Sequence, residues 1–479
     1  MILLGLIALA GCDRRPDAGP VVVSAIGGMP EAGDSSRGML PTPSRVMVDA
    51  TAQGLVRFDA AGQIEPGVAE RWTVIDDGMS YIFRLRDAEW SDGKPVSAGE
   101  VVAILRRQLG PRSRNPLLPF LSAIDEIVEM TPEVIEVRLK RPRPDLLKLF
   151  AQPELALFRT RPPGGSGPFR VVTTYRDGVM LRPAFDPARS PDDDTPEPGP
   201  EASVRLIGER AARAIVRFVA RDSDLVTGGS FVDWPYLANA EVAPANQRID
   251  PAAGLFGLAI ANREGFLAEV NNRIAIARSI DRQAIVGAFA PDWTSTAQLL
   301  PDRLDSAAPP ATAAWTSPPA SGESSPADTV AAWRKTHNEA LTLRIALPAG
   351  PGATILYGYV AAGLRRIGIG AERVAIDAPA DLRLIDAVAP YDSARWYLAT
   401  ACQPCGTDAA AAIDAARDAP DLRLRAQHIA AADRALAADV AYIPIARPLR
   451  WSLVALRLGQ WQGNSRAWHP LNHLRNDTK

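Results

Sequence analysis

The sequence predicts an α/β protein with mixed sheets, and three observations carry that prediction. Up to about residue 185 the strongest patterns have the period of half-buried strands: Tyr81, Phe83 and Leu85 alternate with Ile82, Arg84 and Arg86, and Ile135, Val137 and Leu139 alternate with Glu136, Arg138 and Lys140. Further along, helical and strand patterns alternate, the order that builds a layer of parallel strands covered by helices. Finally, 479 residues with 47% hydrophobic and 23% charged side chains describe a globular chain of two or three domains.

Taken in order, Val21–Ile26 reads as a buried strand stopping at Gly27-Gly28, and Leu55–Phe58 leads into a turn at Asp59-Ala60-Ala61-Gly62. Trp72–Ile75 and Tyr81–Arg86 make a hairpin about Asp76-Asp77-Gly78, residue types that accept turn geometry. Ser97 and Glu100 form a capping box, in which the hydroxyl takes the Glu100 amide and the glutamate reaches back. The helix they start carries Val101, Leu105 and Leu109 on one face. A strand at Ile135–Leu139 precedes a second hairpin, Phe169–Thr173 with Val179–Leu181. Pro187–Glu201 and Ala307–Ala327, dense in Pro and polar residues, are expected as exposed loops that form no core. Asn271–Ala288, Ala353–Arg366, Ala409–Arg417 and Asp421–Ala438 read as helices, with Ile280-Asp281-Arg282 as a helix-junction cap and ion pair. Leu341–Ala346, Arg373–Ile376, Ile443–Ile445 and Trp451–Leu456 read as strands.

Lys+Arg 53 against Asp+Glu 55 leaves a net charge of −2. That balance supplies no polycationic surface and excludes nucleic acid as a main partner. No G-x-S-x-G elbow, H-E-x-x-H pair or phosphate loop occurs, so no enzyme, metal or cofactor is expected. Asp192-Asp193-Asp194 lies in a Pro-rich loop and reads as solvated charge.

The cysteines fall in two places. An apolar run from Met1 ends at Gly11-Cys12, and the chain turns polar at Asp13. Eleven helical residues extend about 16 Å, half of a ~30 Å hydrocarbon core, which is too short to span but suits an export signal. Leu9-Ala10-Gly11-Cys12 resembles the bacterial lipobox, although no Lys or Arg precedes the apolar run. That resemblance implies a signal peptide over 1–12 and lipidation of Cys12. Asp13 resembles an inner-membrane retention signal, so the expected location is the periplasm, tethered to the inner membrane by lipid alone. Cys402-Gln403-Pro404-Cys405 most simply holds a structural disulfide in an exported protein. A thioredoxin-like centre needs a CxxC opening a helix, which Gly406-Thr407-Asp408 could start; zinc needs ligands that the four histidines do not offer in paired spacing.

Several segments together resemble the bacterial extracellular solute-binding proteins of family 5, the oligopeptide, dipeptide and nickel receptors of ABC importers. The most specific is Gly62-Gln63-Ile64-Glu65-Pro66-Gly67-Val68-Ala69-Glu70-Arg71-Trp72, followed by Asp77-Gly78-Met79-Ser80-Tyr81-Ile82-Phe83-Arg84-Leu85-Arg86 and Trp90-Ser91-Asp92-Gly93-Lys94-Pro95-Val96-Ser97-Ala98-Gly99-Glu100-Val101. Glu100 stands where the family usually has Asp, and Val68 where it has Leu. Gly165-Ser166-Gly167-Pro168-Phe169, Asn272-Arg273, Ile280-Asp281-Arg282, Ile367-Gly368-Ile369 and Ala441-Tyr442-Ile443-Pro444-Ile445 continue the match in order.

The resemblance implies a two-lobed periplasmic-binding-protein-like fold of class II. Lobe one would take 20–252 plus 446–479 and include a small strand-rich subdomain. Lobe two would take 263–440, with hinge crossings near 254–262 and 443–450. The implied function is capture of a small solute, a peptide or peptide-like molecule, and delivery to ABC permease subunits. By family position the cleft would be lined by Gly27, Gly28 and Met29, by Asp233 and Trp234, and by Arg395, Trp396 and Tyr397; core packing is an equal reading of the two tryptophans. Peptide-binding relatives place an acid shortly after the tryptophan to pair the peptide's α-amino group. Here none follows Trp396 before Asp408, which argues against free-amine recognition; Arg395 reads equally as a contact for an anionic group or as a surface residue. Two other readings compete: a degenerate family member acting as a sensor or structural partner, and a periplasmic thiol–disulfide protein built on Cys402 and Cys405.

Overall fold

Val21–Ile26, a run of β-branched and small residues buried at five of six positions, sits inside a seven-stranded sheet. The computed structural model to which it belongs describes residues 19–184, 198–302, 304–317 and 324–475. Cys12, Asp192-Asp193-Asp194 and most of the Pro187–Glu201 loop lie outside those residues. The sheet runs Phe169–Thr174, Gly178–Pro183, Val204–Glu209, Val21–Ile26, Leu225–Ser230, Arg450–Val454, Gln247–Ile249. Val21–Ile26 pairs in parallel with both of its neighbours. A five-stranded sheet follows the order Gly370–Ala375, Thr342–Leu347, Leu382–Val388, Gly254–Ile260, Tyr442–Ala446. Its first three strands are mutually parallel and Gly254–Ile260 runs antiparallel to both of its neighbours; the larger sheet likewise combines parallel and antiparallel pairs, so both are mixed.

Each sheet is the floor of a lobe, and the chain passes between them over 250–253 and again over 447–449. Of the stretches expected at the hinge, 254–262 and 443–450, strands Gly254–Ile260 and Tyr442–Ala446 pair in the second sheet. A four-stranded antiparallel subdomain, Ala69–Ile75, Ser80–Leu85, Val134–Leu139, Ile124–Thr131, extends lobe one. Tyr81, Phe83, Ile135 and Val137 point into its core, as the alternation requires.

Four local expectations are corrected. At the start of helix Ala98–Leu109 the Ser97 hydroxyl takes the Glu100 amide at 3.4 Å, but Glu100 does not return to the backbone. Its Oε2 accepts from Trp90 Nε1 at 2.9 Å, because a buried indole N–H must find an acceptor. The expected helix over 271–288 breaks into Val270–Ser279 and Arg282–Gly287, with Asp281 capping the second through the Ala284 amide. Arg282 forms no ion pair among the described residues; it donates to Pro444 O, Ala277 O and Ile280 O. It also lies 3.8 Å from the Trp315 ring centre. Trp315 and Ala313, in the stretch expected to form no core, are both buried, since a single indole hides more apolar area than the polar residues around it reveal.

Helix Thr42–Thr51 docks the C-terminal segment: Trp468 Nε1 donates to Asp49 Oδ2 at 3.2 Å and the Arg45 guanidinium lies 4.7 Å over the Trp468 ring. Burial pushes the Asp49 carboxyl up to about 6, against the pull of Trp468, Arg57 and Arg45. The folded protein therefore retains a proton that the unfolded chain loses near pH 4, and stability falls as pH rises from about 4 to about 6. Asp49→Asn keeps the acceptor for Trp468. It is expected to raise stability at pH 7 by about 1–3 kcal/mol and to change little below pH 4, as urea unfolding at the two pH values would show.

Candidate functional site

Two cavities bear on function. The larger, about 1620 Å³, is lined by Arg57, Arg86, Trp90, Arg170 and His473 among others. Its walls all belong to lobe one, so movement of the lobes does not open or close it. The second lies between the lobes, and its walls come from both sides: Phe120, Arg143 and Asp145 from the subdomain, Tyr391, Arg395 and Arg425 from lobe two. It has room for about one water.

The lobe-two wall is built where strand Leu382–Val388 runs on through Pro390 into helix Ala394–Ala401. Asp305 fixes the start of that helix by accepting from the Ala394 amide at 2.7 Å and the Ser393 hydroxyl at 3.0 Å. Arg425, 4% exposed, donates to Asp305 at 2.8 Å and to Ser393 Oγ at 2.6 Å, locking both from the long helix Leu422–Asp439. This arrangement sets Arg395 and Tyr391 toward lobe one. The Tyr391 ring meets Phe120 edge-on at 5.8 Å. The Arg395 Nη1 makes only a long contact, 3.5 Å, with Pro119 O, and its buried Nε has no partner.

From the opposite side Arg143 donates to Pro142 O at 2.8 Å and across the lobes to Arg417 O at 2.5 Å. Gln152 Nε2 reaches Pro390 O at 2.6 Å, Arg466 Nη1 reaches Ala389 O at 2.8 Å, and Arg141 pairs with Asp418 at 3.0 Å. Lys148 and Arg466 both bond the Asp392 carboxylate. The electrostatics follow from burial beside like charges. Burial, then the charges of Arg425, Arg141 and Arg395, pushes Arg143 down to about 9, still cationic at neutral pH. Burial likewise lowers Arg395. It raises Asp145 to about 6, with help from the charge of Asp305, and Tyr391 to about 12.

Of the residues expected to line the cleft, only Arg395 faces this cavity. Trp396 and Tyr397, 5% and 1% exposed, pack against each other edge-on at 4.9 Å in the hydrophobic core. Trp234 is buried in the hydrophobic core, and burial raises the carboxyl of its neighbour Asp233. Gly28 is exposed and Met29 partly so, just past the end of Val21–Ile26. Arg143, Tyr391, Arg425 and Asp305 escaped the sequence reading. The one local signal was the cation-rich run Lys140-Arg141-Pro142-Arg143-Pro144, which reads equally as an exposed loop. Cys402 and Cys405 are joined as a disulfide with Cα atoms 4.8 Å apart, closing the turn between helices Ala394–Ala401 and Thr407–Asp418. Among the described residues no three His, Cys, Asp or Glu side chains are grouped to hold a metal, and no helix is long and apolar enough to cross a membrane.

Residues 63–378 match the family model for bacterial extracellular solute-binding proteins, family 5. The chain is 38% identical over 82 residues to a protein named "Probable deoxycholate-binding periplasmic protein YgiS" of Escherichia coli K12, a match covering 17% of this chain and 15% of that one. The alignments to that protein and to the oligopeptide-binding protein OppA of Haemophilus influenzae span about a sixth of the relatives' length. Solved structures extend the likeness to the whole fold. The Haemophilus influenzae OppA complex with the peptide RPPGFSPFR superposes with a TM-score of 0.78 at 17% identity, covering 95% of this chain and 99% of that one. The murein tripeptide binding protein MppA of Escherichia coli gives 0.78 at 17% identity, covering 95% and 98%. Both mixed sheets, the two-lobed architecture and the match over residues 63–378 agree: the chain belongs to family 5 of the bacterial extracellular solute-binding proteins.

Proposed function

We propose that the chain is the solute receptor of a peptide-type ABC importer, exported and held at the inner membrane by lipid on Cys12. It closes on a small solute and presents the closed form to the permease subunits. The observation that carries this reading is a cavity walled by both lobes, between which the described chain crosses over the short stretches 250–253 and 447–449. Rotation about two such crossings widens or shuts the cavity while each lobe stays rigid, because a few residues absorb the dihedral change. Nothing in that cycle needs a covalent step. The relatives' names span peptides and deoxycholate, so a peptide or peptide-like solute is the reading taken here. Arg395 is the direct contact, with Trp396 and Tyr397 as its packed support. Gly28, Met29, Asp233 and Trp234 are the further wall residues, assigned by family position.

Native mass spectrometry of the soluble chain from Gly19 onward tests the proposal. A bound small solute that is lost on unfolding is the expected result. If the spectra show no solute, and no member of a peptide and metabolite library raises the melting temperature, the receptor reading fails.

A further inference from the structure

We infer that the solute is recognised through an oxyanion, carboxylate or phosphate, gripped by Arg143 of one lobe and Arg395 of the other. This rests on the receptor reading above and adds the chemistry of the ligand. The argument is an inventory of charge around the interlobe cavity. Asp392, next to Tyr391 in the chain but not itself on the cavity wall, is bonded by Lys148 and Arg466. Asp305 is bonded by Arg425, the Ser393 hydroxyl and the Ala394 amide. Asp145 is the acid that lines the cavity itself, and Lys148 and Arg425 act on it only at a distance, without an ion pair among the described residues.

The cations balance differently. Arg143 and Arg395 both line the cavity, and neither has a carboxylate partner among the described residues. Asp414 acts on Arg395 only at a distance, without an ion pair. Arg395 is 7% exposed and its Nε is unsatisfied. Burying a guanidinium without a counter-charge is costly, and two on one cavity repel each other. An anion between them removes both penalties, and the planar fork of arginine suits two-oxygen acceptors. Because one guanidinium comes from each lobe, the anion is held fully only when the lobes are closed. The present space fits about one water, so the rest of the solute enters with the lobes further apart.

Calorimetric titration of the full chain in detergent separates the possibilities with three probes. N-acetyl-trialanine carries a carboxylate and no amine, trialanine amide an amine and no carboxylate, and inorganic phosphate is the second oxyanion. Binding of the acetylated peptide or of phosphate, with none by the amide, is expected; which oxyanion binds identifies the group. Arg143→Gln and Arg395→Gln should each weaken that binding at least ten-fold, and Arg143→Lys by less. Should Arg395→Gln fail to fold, as circular dichroism would reveal, the half-buried Arg143 pair of variants still decides. Amide binding as tight as that of the acetylated peptide, or unchanged affinity in Arg143→Gln, overturns the oxyanion assignment and leaves the receptor standing. If no probe binds and native mass spectra show no solute, both fall.

Discussion

Asp439→Ala is expected to destabilise the protein by about 3–5 kcal/mol, the usual cost of stripping the partner from a buried ion. The carboxylate accepts from Arg263 at 2.8 and 2.5 Å, from Arg273 Nη2 at 2.8 Å and from the Gly406 amide at 2.8 Å. Arg273 is 2% exposed, and its other bonds go to the carbonyls of Leu267, Ala268 and Asp439. No charge in that set replaces the lost one. Burial pushes the Asp439 carboxyl upward, but the Arg263 and Gly406 bonds and the two guanidinium charges outweigh it and hold the group below its ordinary value. A carboxyl depressed in the folded state contributes its stability above about pH 4 and loses it as pH falls through the folded value. Urea unfolding should therefore show a large gap between wild type and Asp439→Ala at pH 7 that narrows below pH 3. An equal gap at both pH values would mean that lost packing, not charge, is responsible.

Asp305→Ala comes next, at about 3 kcal/mol. It leaves Arg425 buried without its carboxylate and deprives the Ser393 hydroxyl and the Ala394 amide of their acceptor. Its functional consequence is specific. Asp305 anchors the start of the helix that carries Arg395, so solute affinity should fall although Asp305 touches no solute in the proposed closed form. Chemical unfolding gives the stability change, and titration of the folded variant gives the affinity. A change under about 1 kcal/mol would show that Arg425 finds another partner and that the helix start is held by packing alone.

How much of this was legible in the chain differs by element. Val21–Ile26 was readable to the residue because six consecutive small and β-branched residues end at two glycines, a local pattern with a local cause. The Trp72–Arg86 hairpin was readable for the same reason, its alternation matching the buried face of Ser80–Leu85. Val204–Glu209 and Leu225–Ser230 were missed as strands. They flank Val21–Ile26 in register, and their own sequences lack the clean alternation of the hairpins. Glu100 looked like half of a capping box until Trp90 claimed its carboxylate, a contact that depends on where the preceding turn folds back.

The candidate site divides along the same line. Trp396 and Tyr397 were expected at the cleft by family position, with core packing an equal reading of the tryptophan; both are buried, and Arg395 beside them faces the other lobe. By itself the sequence determined the family, the α/β class and the order of most elements, because motifs and periodicities act over a few residues. Only the tertiary structure decided which charges meet, since Arg143 and Arg395 stand 252 positions apart and are brought to one cavity by lobe packing that no local pattern records.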